Sequence, residues 1–277
     1  MKVTRVGQSC LLAVLVLVIA AIGASSASAL EYELKGMPEV GRCVKVATGA
    51  GVYKGAQCLA VEHSSKKLGK YNWIPASQTE KLTFGGSGLE SVLKTEGHPT
   101  IKCIAANLTG EYTGPKKASV TIEFQGCINS NGQQCQSNPQ NKSEIKTTPL
   151  EAELGFIKNE LLAGHNVISV GLDLKPTSPL PSLVVYECGS ITETASLEGS
   201  VIGQEKPIDK MTSEMNLVYS TKSNGEQLYE KFEEGVQDTL STTFHSGLTS
   251  TTAPTTLKIK SYLGTNSVPL EVKAYSY

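Results

Sequence analysis

Apolar and polar residues alternate one by one along much of this 277-residue chain. In the segment 118–125, Ala, Val, Ile and Phe occupy the even positions, and Ser, Thr, Glu and Gln occupy the odd ones. A β-strand directs successive side chains to opposite faces of a sheet, so this period of two predicts strands that are buried on one face. The pattern recurs at 150–156, 168–174, 257–259 and 268–272.

Shorter strands are predicted wherever β-branched and aromatic residues cluster between turn residues. These candidates are 81–84, 89–95, 100–106, 183–188, 197–202, 214–220 and 239–245. Clusters of Gly, Asn, Pro and Ser predict turns at 85–88, 129–132, 164–166 and 175–181. About a dozen short strands at this spacing predict an all-β fold, either an antiparallel β-sandwich or a barrel-like domain.

Two segments depart from the alternation. Between 226 and 234, Leu228 and Phe232 are four residues apart and Gly235 follows, which predicts one or two helical turns with a glycine at the C-terminal end. The segment 246–256 is rich in Ser and Thr and is predicted to be a connector before the last two strands.

The N-terminus has the three parts of a secretory signal peptide. Lys2 and Arg5 form a positive start, 10–22 is a run of 13 apolar residues, and Ala27 and Ala29 form an A-x-A cleavage site. The sequence therefore predicts cleavage after Ala29 and a secreted, extracellular protein. The run is shorter than the ~20 residues that a membrane-spanning helix needs, so we expect no stable membrane span after cleavage. An uncleaved membrane anchor is the alternative.

Cleavage after Ala29 leaves six cysteines, and an even number in an exported protein predicts disulfides. These residues are Cys43, Cys58, Cys103, Cys127, Cys135 and Cys188. Six cysteines allow 15 pairings. Closure of the shortest loops first favours Cys43–Cys58 and Cys127–Cys135, which leaves Cys103–Cys188. Metal binding is the competing interpretation, but no Cys-x2-Cys or His-x3-His pair supports it, so no metal ligands are predicted.

The mature chain divides into a small N-terminal lobe, 30–76, and a main antiparallel β domain, 77–277. The lobe holds one predicted disulfide and the only Trp of the chain, Trp73. An exposed cluster of Trp73, Tyr71 and Tyr53 could stack on a sugar ring. The alternative, which we favour, makes Trp73 the core of the lobe, because a small lobe needs an apolar anchor as well as a disulfide.

Five segments, taken in order, resemble a known group of proteins. They are PEVGRCVKV (38–46), GKYNWIP (69–75), GEYTGPK (110–116), VTIEFQGC (120–127) and YECG (186–189). The combination is similar to a group of secreted β-rich proteins from high-GC Gram-positive bacteria, which share P-E-x-G-R-C-V, G-K-Y-x-W-x-P and G-E-Y-T-G-P segments. The resemblance covers roughly 38–245. It implies export and a mostly β fold, and it implies no activity.

The residues offer little support for catalysis. Ser87 lies in a Gly-x-Ser-Gly sequence between predicted strands, which favours a glycine turn over a nucleophile elbow. Glu151 and Glu153 are expected on the solvent face of one strand, and Asp173 on the polar face of another, where it should be solvated. We therefore predict no catalytic residues, no metal and no cofactor.

Charge argues against nucleic acid as a partner. The chain has 25 Lys+Arg and 26 Asp+Glu, and Arg42 is the only arginine that remains after cleavage at Ala29. Bidentate contacts to bases or phosphates are therefore almost absent. The sequence favours a non-catalytic extracellular or cell-envelope binding or structural protein, whose partner would be a cell-wall polymer or another envelope protein. An extracellular hydrolase acting on polysaccharide or peptide is the alternative.

Overall fold

The computed structural model describes residues 36–59, 68–162, 165–189, 193–265 and 268–275. Within these ranges the chain forms nineteen β-strands and no helix. The predicted signal peptide, 1–29, and its cleavage site lie outside the described residues.

The first ten strands come from the N-terminal half of the chain. They are β1 Glu39–Lys45, β2 Tyr71–Pro75, β3 Leu82–Gly88, β4 Ser91–Thr95, β5 Ile101–Cys103, β6 Ala105–Tyr112, β7 Lys117–Gln125, β8 Ile128–Asn129, β9 Cys135–Gln136 and β10 Glu144–Lys146. The remaining nine are β11 Leu150–Leu162, β12 His165–Pro176, β13 Ser182–Cys188, β14 Glu193–Gly199, β15 Val201–Lys206, β16 Glu214–Tyr219, β17 Leu240–Ser246, β18 Thr249–Thr265 and β19 Glu271–Lys273.

Eight strands close into an antiparallel barrel. They follow the order β16-β15-β12-β11-β7-β6-β3-β18, and the pairing of β18 with β16 completes the ring. The alternation found in the sequence becomes the division between inside and outside, because the apolar residues of β7 are all buried: Ala118, Val120, Ile122 and Phe124. The predicted all-β, antiparallel and barrel-like fold is confirmed.

Strand β18 connects the barrel to a second sheet. Its first half pairs with β17 and β4, and its second half pairs with β16 and β3. The second sheet follows the order β9-β13-β14-β17-β18-β4-β5-β8. The predicted connector at 246–256 was wrong, because most of it is the start of this 17-residue strand. Threonine is β-branched and suits a strand when a hairpin partner such as β17 is present.

Two further local predictions were wrong. Residues 85–88 form the second half of β3 instead of a turn. Their glycines allow close strand approach, since a Cβ at Gly86 would lie 2.5 Å from the carbonyl oxygen of Tyr262. The predicted helix at 226–234 is irregular, and its Phe232 packs against the outside of the barrel at Gly155. An apolar pair at helical spacing here serves to cover a sheet.

The small N-terminal sheet draws on both ends of the chain. Its order is β19-β1-β2, so residues 271–273 pair with Glu39 to Gly41. Val40 is fully buried and its N–H donates to the carbonyl of Pro115 at 2.7 Å, which seats the sheet against the barrel. A division at residue 76 therefore does not separate the small sheet from the rest of the chain.

Three disulfides link cysteines among the described residues, and one of them was predicted correctly. Cys43–Cys58 is confirmed, whereas the predicted pairs Cys127–Cys135 and Cys103–Cys188 were wrong. The structure pairs Cys103 with Cys127 and Cys135 with Cys188. Strand register causes this: Cys188 lies directly opposite Cys135 in the β13–β9 ladder, with 4.1 Å between their Cα atoms. Loop length identified the local Cys43–Cys58 pair but not the two pairs that depend on how distant segments align.

Candidate functional site

The outer face of β18 carries a row of cationic and aromatic side chains. From Leu257 to Leu263, the odd-numbered residues are buried and point inward. The even-numbered residues Lys258, Lys260 and Tyr262 are exposed on the opposite face. The alternation of the strand therefore places two ammonium groups and one aromatic ring in a row along the outside of the barrel.

Neighbouring strands add two more lysines to this face. Lys102 of β5 and Lys258 of β18 both pair with Val92 of β4, one on each side. Lys94, two residues along β4, pairs with Thr256 of β18. All four lysines are exposed. We call Lys94, Lys102, Lys258 and Lys260 the lysine face.

No carboxylate lies directly across the ladder from these lysines. The residues opposite them are Val92, Ile128, Thr256 and Val218. Within the part of the chain that the structure describes, none of the four ammonium groups is within ion-pair distance of an acid. The four lysines therefore lack ion pairs, although the exposed Glu90 and Glu96 flank β4 and the net charge of the whole chain is −1.

On the opposite wall of the barrel, two lysines form ion pairs with glutamates. Lys117 lies 3.1 Å from Glu151, and Lys175 lies 2.7 Å from Glu153. The hydrogen bond from Lys175 also lowers the pKa of Glu153 below its ordinary value. Glu151 and Glu153 thus lie on an outer face, as predicted, and neutralise lysines there. The four lysines of the lysine face differ from Lys117 and Lys175 in having no ion pair among the described residues.

Exposed apolar side chains accompany the lysines. Ile104 is 76% exposed, Leu89 55%, Tyr262 45% and Ile128 44%. The ammonium of Lys260 lies 5.1 Å from the centre of the Tyr262 ring, within the range of a cation–π contact. A partner that binds here would meet both positive charge and apolar area.

Towards its N-terminal end, the outer face of β18 changes from ammonium to hydroxyl groups. Ser250 and Thr252 lie on the same even-numbered face as the lysines, and they pair with His245 and Thr243 of β17. The Thr243 and Thr252 hydroxyls are 3.0 Å apart, and Thr243 also donates to Glu198 at 3.3 Å. We call Ser241, Thr243, Ser250 and Thr252 the hydroxyl rows.

A Ser–His contact occurs beside the hydroxyl rows. The Ser196 hydroxyl lies 3.5 Å from Nε2 of His245, whose Nδ1 lies 2.9 Å from the Ser250 hydroxyl. Ser196 sits in the middle of β14, which pairs with β13 on one side and β17 on the other. Backbone N–H groups held in two ladders are not available to stabilise an oxyanion. The backbone of β14 at Ser196 therefore supplies no oxyanion hole, which serine hydrolysis requires in addition to a Ser–His pair.

The predicted aromatic cluster surrounds a cation from the chain itself. The ammonium of Lys273 lies 5.3 Å from the centre of the Tyr53 ring and 4.9 Å from that of Trp73. Tyr53 is buried, Trp73 is half-buried, and Tyr71 joins them through a backbone bridge to Tyr53. Lys273 thus occupies the position that a cationic ligand would take between the two rings.

Buried acids account for the remaining unusual chemistry. Burial raises the pKa of Glu205, inside the barrel, to about 7, and neither of its oxygens has a hydrogen-bond partner among the described residues. Burial, and then the charge of Asp238, raise the pKa of Asp173 to about 7. The prediction that Asp173 is solvated was wrong, because its side chain is buried. Asp238 lies close enough to act on its charge, and the same 220–239 segment packs on the neighbouring strand β11 through Phe232 and Glu233. Ser87 lies in β3, on its exposed face.

One internal cavity lies between the barrel and the second sheet. Its walls include Leu93, Ile145, Leu183 and Leu257, and it encloses about 40 Å³. Ligand pockets for small organic molecules are typically about 300–1,000 Å³. This space is therefore a packing defect and not a binding pocket.

Comparison with known proteins adds no family. No protein-family profile matches the chain, and neither the curated proteins nor the solved structures contain a match.

The described residues include no helix that is long and apolar enough to cross a membrane. They also contain no group of three or more His, Cys, Asp or Glu side chains placed to hold a metal ion.

Sequence reasoning missed the lysine face. A signal was present, since Lys258 and Lys260 alternate with Leu257, Ile259 and other buried residues. However, Lys94 and Lys102 are more than 150 residues away in the chain. Their place beside β18 depends on the pairing of β4 with β18 and β5, which only the fold establishes.

Proposed function

We propose that the protein is a secreted, non-catalytic binding protein that holds a negatively charged partner at the cell envelope through its lysine face. The observation that carries the proposal is the set of four exposed lysines on three adjacent strands with no carboxylate opposite them. Three disulfides are consistent with an oxidising extracellular compartment and support the choice of environment.

The spacing of the lysines supports joint action on one partner. Lys102 and Lys258 are separated by one strand, which places their Cα atoms about 10 Å apart. Lys258 and Lys260 are two residues apart on one strand, or about 7 Å. The shorter distance lies within the Debye length of about 8 Å at physiological salt and the longer one slightly exceeds it, so the fields of neighbouring lysines add in part.

Fluorescence anisotropy with labelled sodium polyphosphate tests this proposal. The test variant replaces all four residues of the lysine face by Gln. The control variant replaces four exposed lysines of other faces by Gln, namely Lys45, Lys54, Lys142 and Lys231. Both variants lose the same charge, so only position differs between them.

We expect the lysine-face variant to bind at least tenfold more weakly and the control variant to bind within about twofold of the natural protein. Four phosphate contacts to a single-stranded polyanion also predict a slope of about −3 for log K against log salt concentration. Equal weakening in the two variants would show that net charge, and not the lysine face, drives binding.

The Ser196–His245 contact is the reason to test a second function, extracellular hydrolysis. An extracellular hydrolase would release product from an ester, peptide or polysaccharide substrate, and Ser196→Ala would abolish the release. We expect no release above the buffer control from either protein. Turnover that disappears in Ser196→Ala would replace binding by hydrolysis as the function.

A further inference from the structure

We infer that residues 230–239 form a strap on the outside of the barrel, and that ionisation of the buried Asp173 beside it releases the strap as the pH rises. The inference goes beyond the proposed function, because it concerns β11 and β12 instead of the lysine face and involves no ligand.

The N-terminal part of the strap is attached to β11 by few contacts. The ring of Phe232 lies over Gly155, where an added Cβ would come within 2.4 Å of it. The N–H of Glu233 donates to the carbonyl of Phe156 at 2.9 Å, and the carboxylate of Glu233 accepts from the N–H of Asn159. None of the residues 230–239 is buried. A segment with so little buried surface opens at a small cost in free energy.

The C-terminal part of the strap is attached where β14 meets β15. The Ser200 hydroxyl donates to Asp238 at 2.5 Å, and the Ser200 N–H donates to the carbonyl of Thr239 at 3.1 Å. The N–H of Asp238 donates back to the carbonyl of Glu230 at 2.6 Å, which closes the strap on itself. The position of the Asp238 carboxylate is therefore tied to that of the whole strap.

Asp173 of β12 is a buried acid close to this attachment. Its side chain is 6% exposed, and its Oδ1 has no hydrogen-bond partner among the described residues. Its carboxyl accepts a backbone hydrogen bond from Val201. A buried charge that is incompletely hydrogen-bonded is costly, which favours the protonated form. Burial, and then the negative charge of Asp238, accordingly raise the pKa of Asp173 to about 7.

The other groups around Asp173 do not offer it a cation of its own. Glu153 of β11 lies directly opposite it, and the uncharged Ile202 lies opposite it on β15. Lys175 lowers the pKa of Asp173 but already pairs with Glu153 at 2.7 Å. Burial, and then the charge of Asp173, raise the pKa of Tyr219. Ionisation of Asp173 therefore adds a negative charge between Glu153 and the strap.

The direction of the pH effect follows from the two states of the strap. With the strap attached, the pKa of Asp173 is about 7. Release of the strap carries Asp238 away, so the pKa of Asp173 falls towards its ordinary value of 3.8. The proton therefore favours attachment. This contribution is complete below the ordinary value and is lost as the pH rises through about 7.

Hydrogen exchange of the disulfide-bonded protein at pH 5 and pH 8 tests the inference. Each rate is divided by the intrinsic rate at the same pH, which removes the direct effect of pH on exchange. The Glu233 amide reports attachment of the strap. The Leu228 amide, which donates to the Ser220 carbonyl at 2.8 Å, is the reference from the same loop outside the strap. We expect the protection of Glu233 to fall about tenfold or more at pH 8, and that of Leu228 to change less than about threefold.

Three variants identify the group responsible. Asp173→Asn keeps the shape of the side chain and cannot ionise, so its strap should stay protected at pH 8. Glu205→Gln is the matched control, because it removes another buried acid with a pKa of about 7, inside the barrel, and should retain the tenfold loss at Glu233. Phe232→Ala should lower the protection of Glu233 at both pH values and so define the released state. Melting curves establish that each variant is folded.

Each other outcome overturns the inference. Equal protection of Glu233 at the two pH values would show either a strap that stays attached or, if it matches Phe232→Ala, one that is never attached. A loss that persists in Asp173→Asn would assign the effect to another group. An equal loss at Leu228 would show general loosening of the loop instead of release of the strap.

Discussion

The side-chain amide of Gln227 hydrogen-bonds to both backbone groups of Leu257. Its oxygen accepts from the Leu257 N–H at 3.0 Å, and its nitrogen donates to the Leu257 carbonyl at 3.1 Å. Leu257 lies where β18 has left β17 and has not yet met β16. One side chain therefore satisfies the backbone at the point where β18 passes from the second sheet to the barrel.

Gln227→Ala should lower the free energy of unfolding by about 1–3 kcal/mol, because it leaves two backbone groups of Leu257 without partners. Urea unfolding measures the loss, and faster hydrogen exchange at the Leu257 amide localises it. Gln140→Ala, at an exposed glutamine, is the control and should stay within about 0.5 kcal/mol. Unchanged exchange at Leu257 would contradict the role assigned to Gln227.

Stability should fall as the pH rises from 5 to 8. The pKa of Glu205 is raised to about 7 in the folded protein by burial, above its ordinary value of 4.5. Between these values the unfolded chain loses its proton first, so a rise in pH favours unfolding, and the loss is complete above about 7. Asp173 and Glu271, whose pKa values burial also raises to about 7, act with the same sign.

Glu205→Gln isolates the contribution of one group. The variant cannot ionise, so its unfolding free energy at pH 8 should exceed that of the natural protein by roughly 3 kcal/mol, with little difference at pH 5. Urea unfolding at the two pH values provides the measurement. A variant with the same pH dependence as the natural protein would show that Glu205 does not hold its proton in the fold.

Trp73→Ala should destabilise the protein by roughly 3 kcal/mol. The substitution removes a large ring that packs against Gly41, and it uncovers the buried ammonium of Lys273. Tyr262→Ala is the matched control, because its ring also lies near a lysine but is 45% exposed, so the cost should be below about 1 kcal/mol. Equal melting temperatures for the two variants would defeat this account of Trp73.

Peptide mapping of the unreduced protein should yield three linked peptides. They should connect Cys43 with Cys58, Cys103 with Cys127, and Cys135 with Cys188. Alkylation before digestion should modify none of the six residues. A peptide that links Cys127 with Cys135 would mean that β9 and β13 are not paired as the structure has them.

N-terminal sequencing of protein recovered from the culture medium should begin at Leu30. The positive start, the short apolar run and the A-x-A site all predict cleavage after Ala29. Replacing Ala29 by a bulky residue such as Phe should block processing and leave Met1 on the protein. Mature protein that retains the apolar run would favour the membrane-anchor alternative.

The sequence alone determined the fold class and many of the strands. Its alternation predicted β7, β11 and β12, because a period of two is a local property that a strand converts directly into a buried and an exposed face. The Cys43–Cys58 bridge was also predictable, since it closes a short local loop.

Tertiary structure alone decided which strands became neighbours. Most of the Thr-rich segment at 246–256 is part of β18, because β17 and β4 pair with it. Threonine is β-branched and suits a strand once such partners are present. Tertiary structure also buried Asp173 close to a loop that lies about 60 residues later in the chain.

The lysine face and the two remaining disulfides have the same origin. Lys102 and Lys258, like Cys135 and Cys188, are brought together by register between strands that are distant in sequence. Local periodicity determines which face of a strand a residue occupies, but it carries no information about the strand that pairs beside it. The charge of the surface was therefore present in the sequence, and its concentration on one face arose from the pairing of the strands.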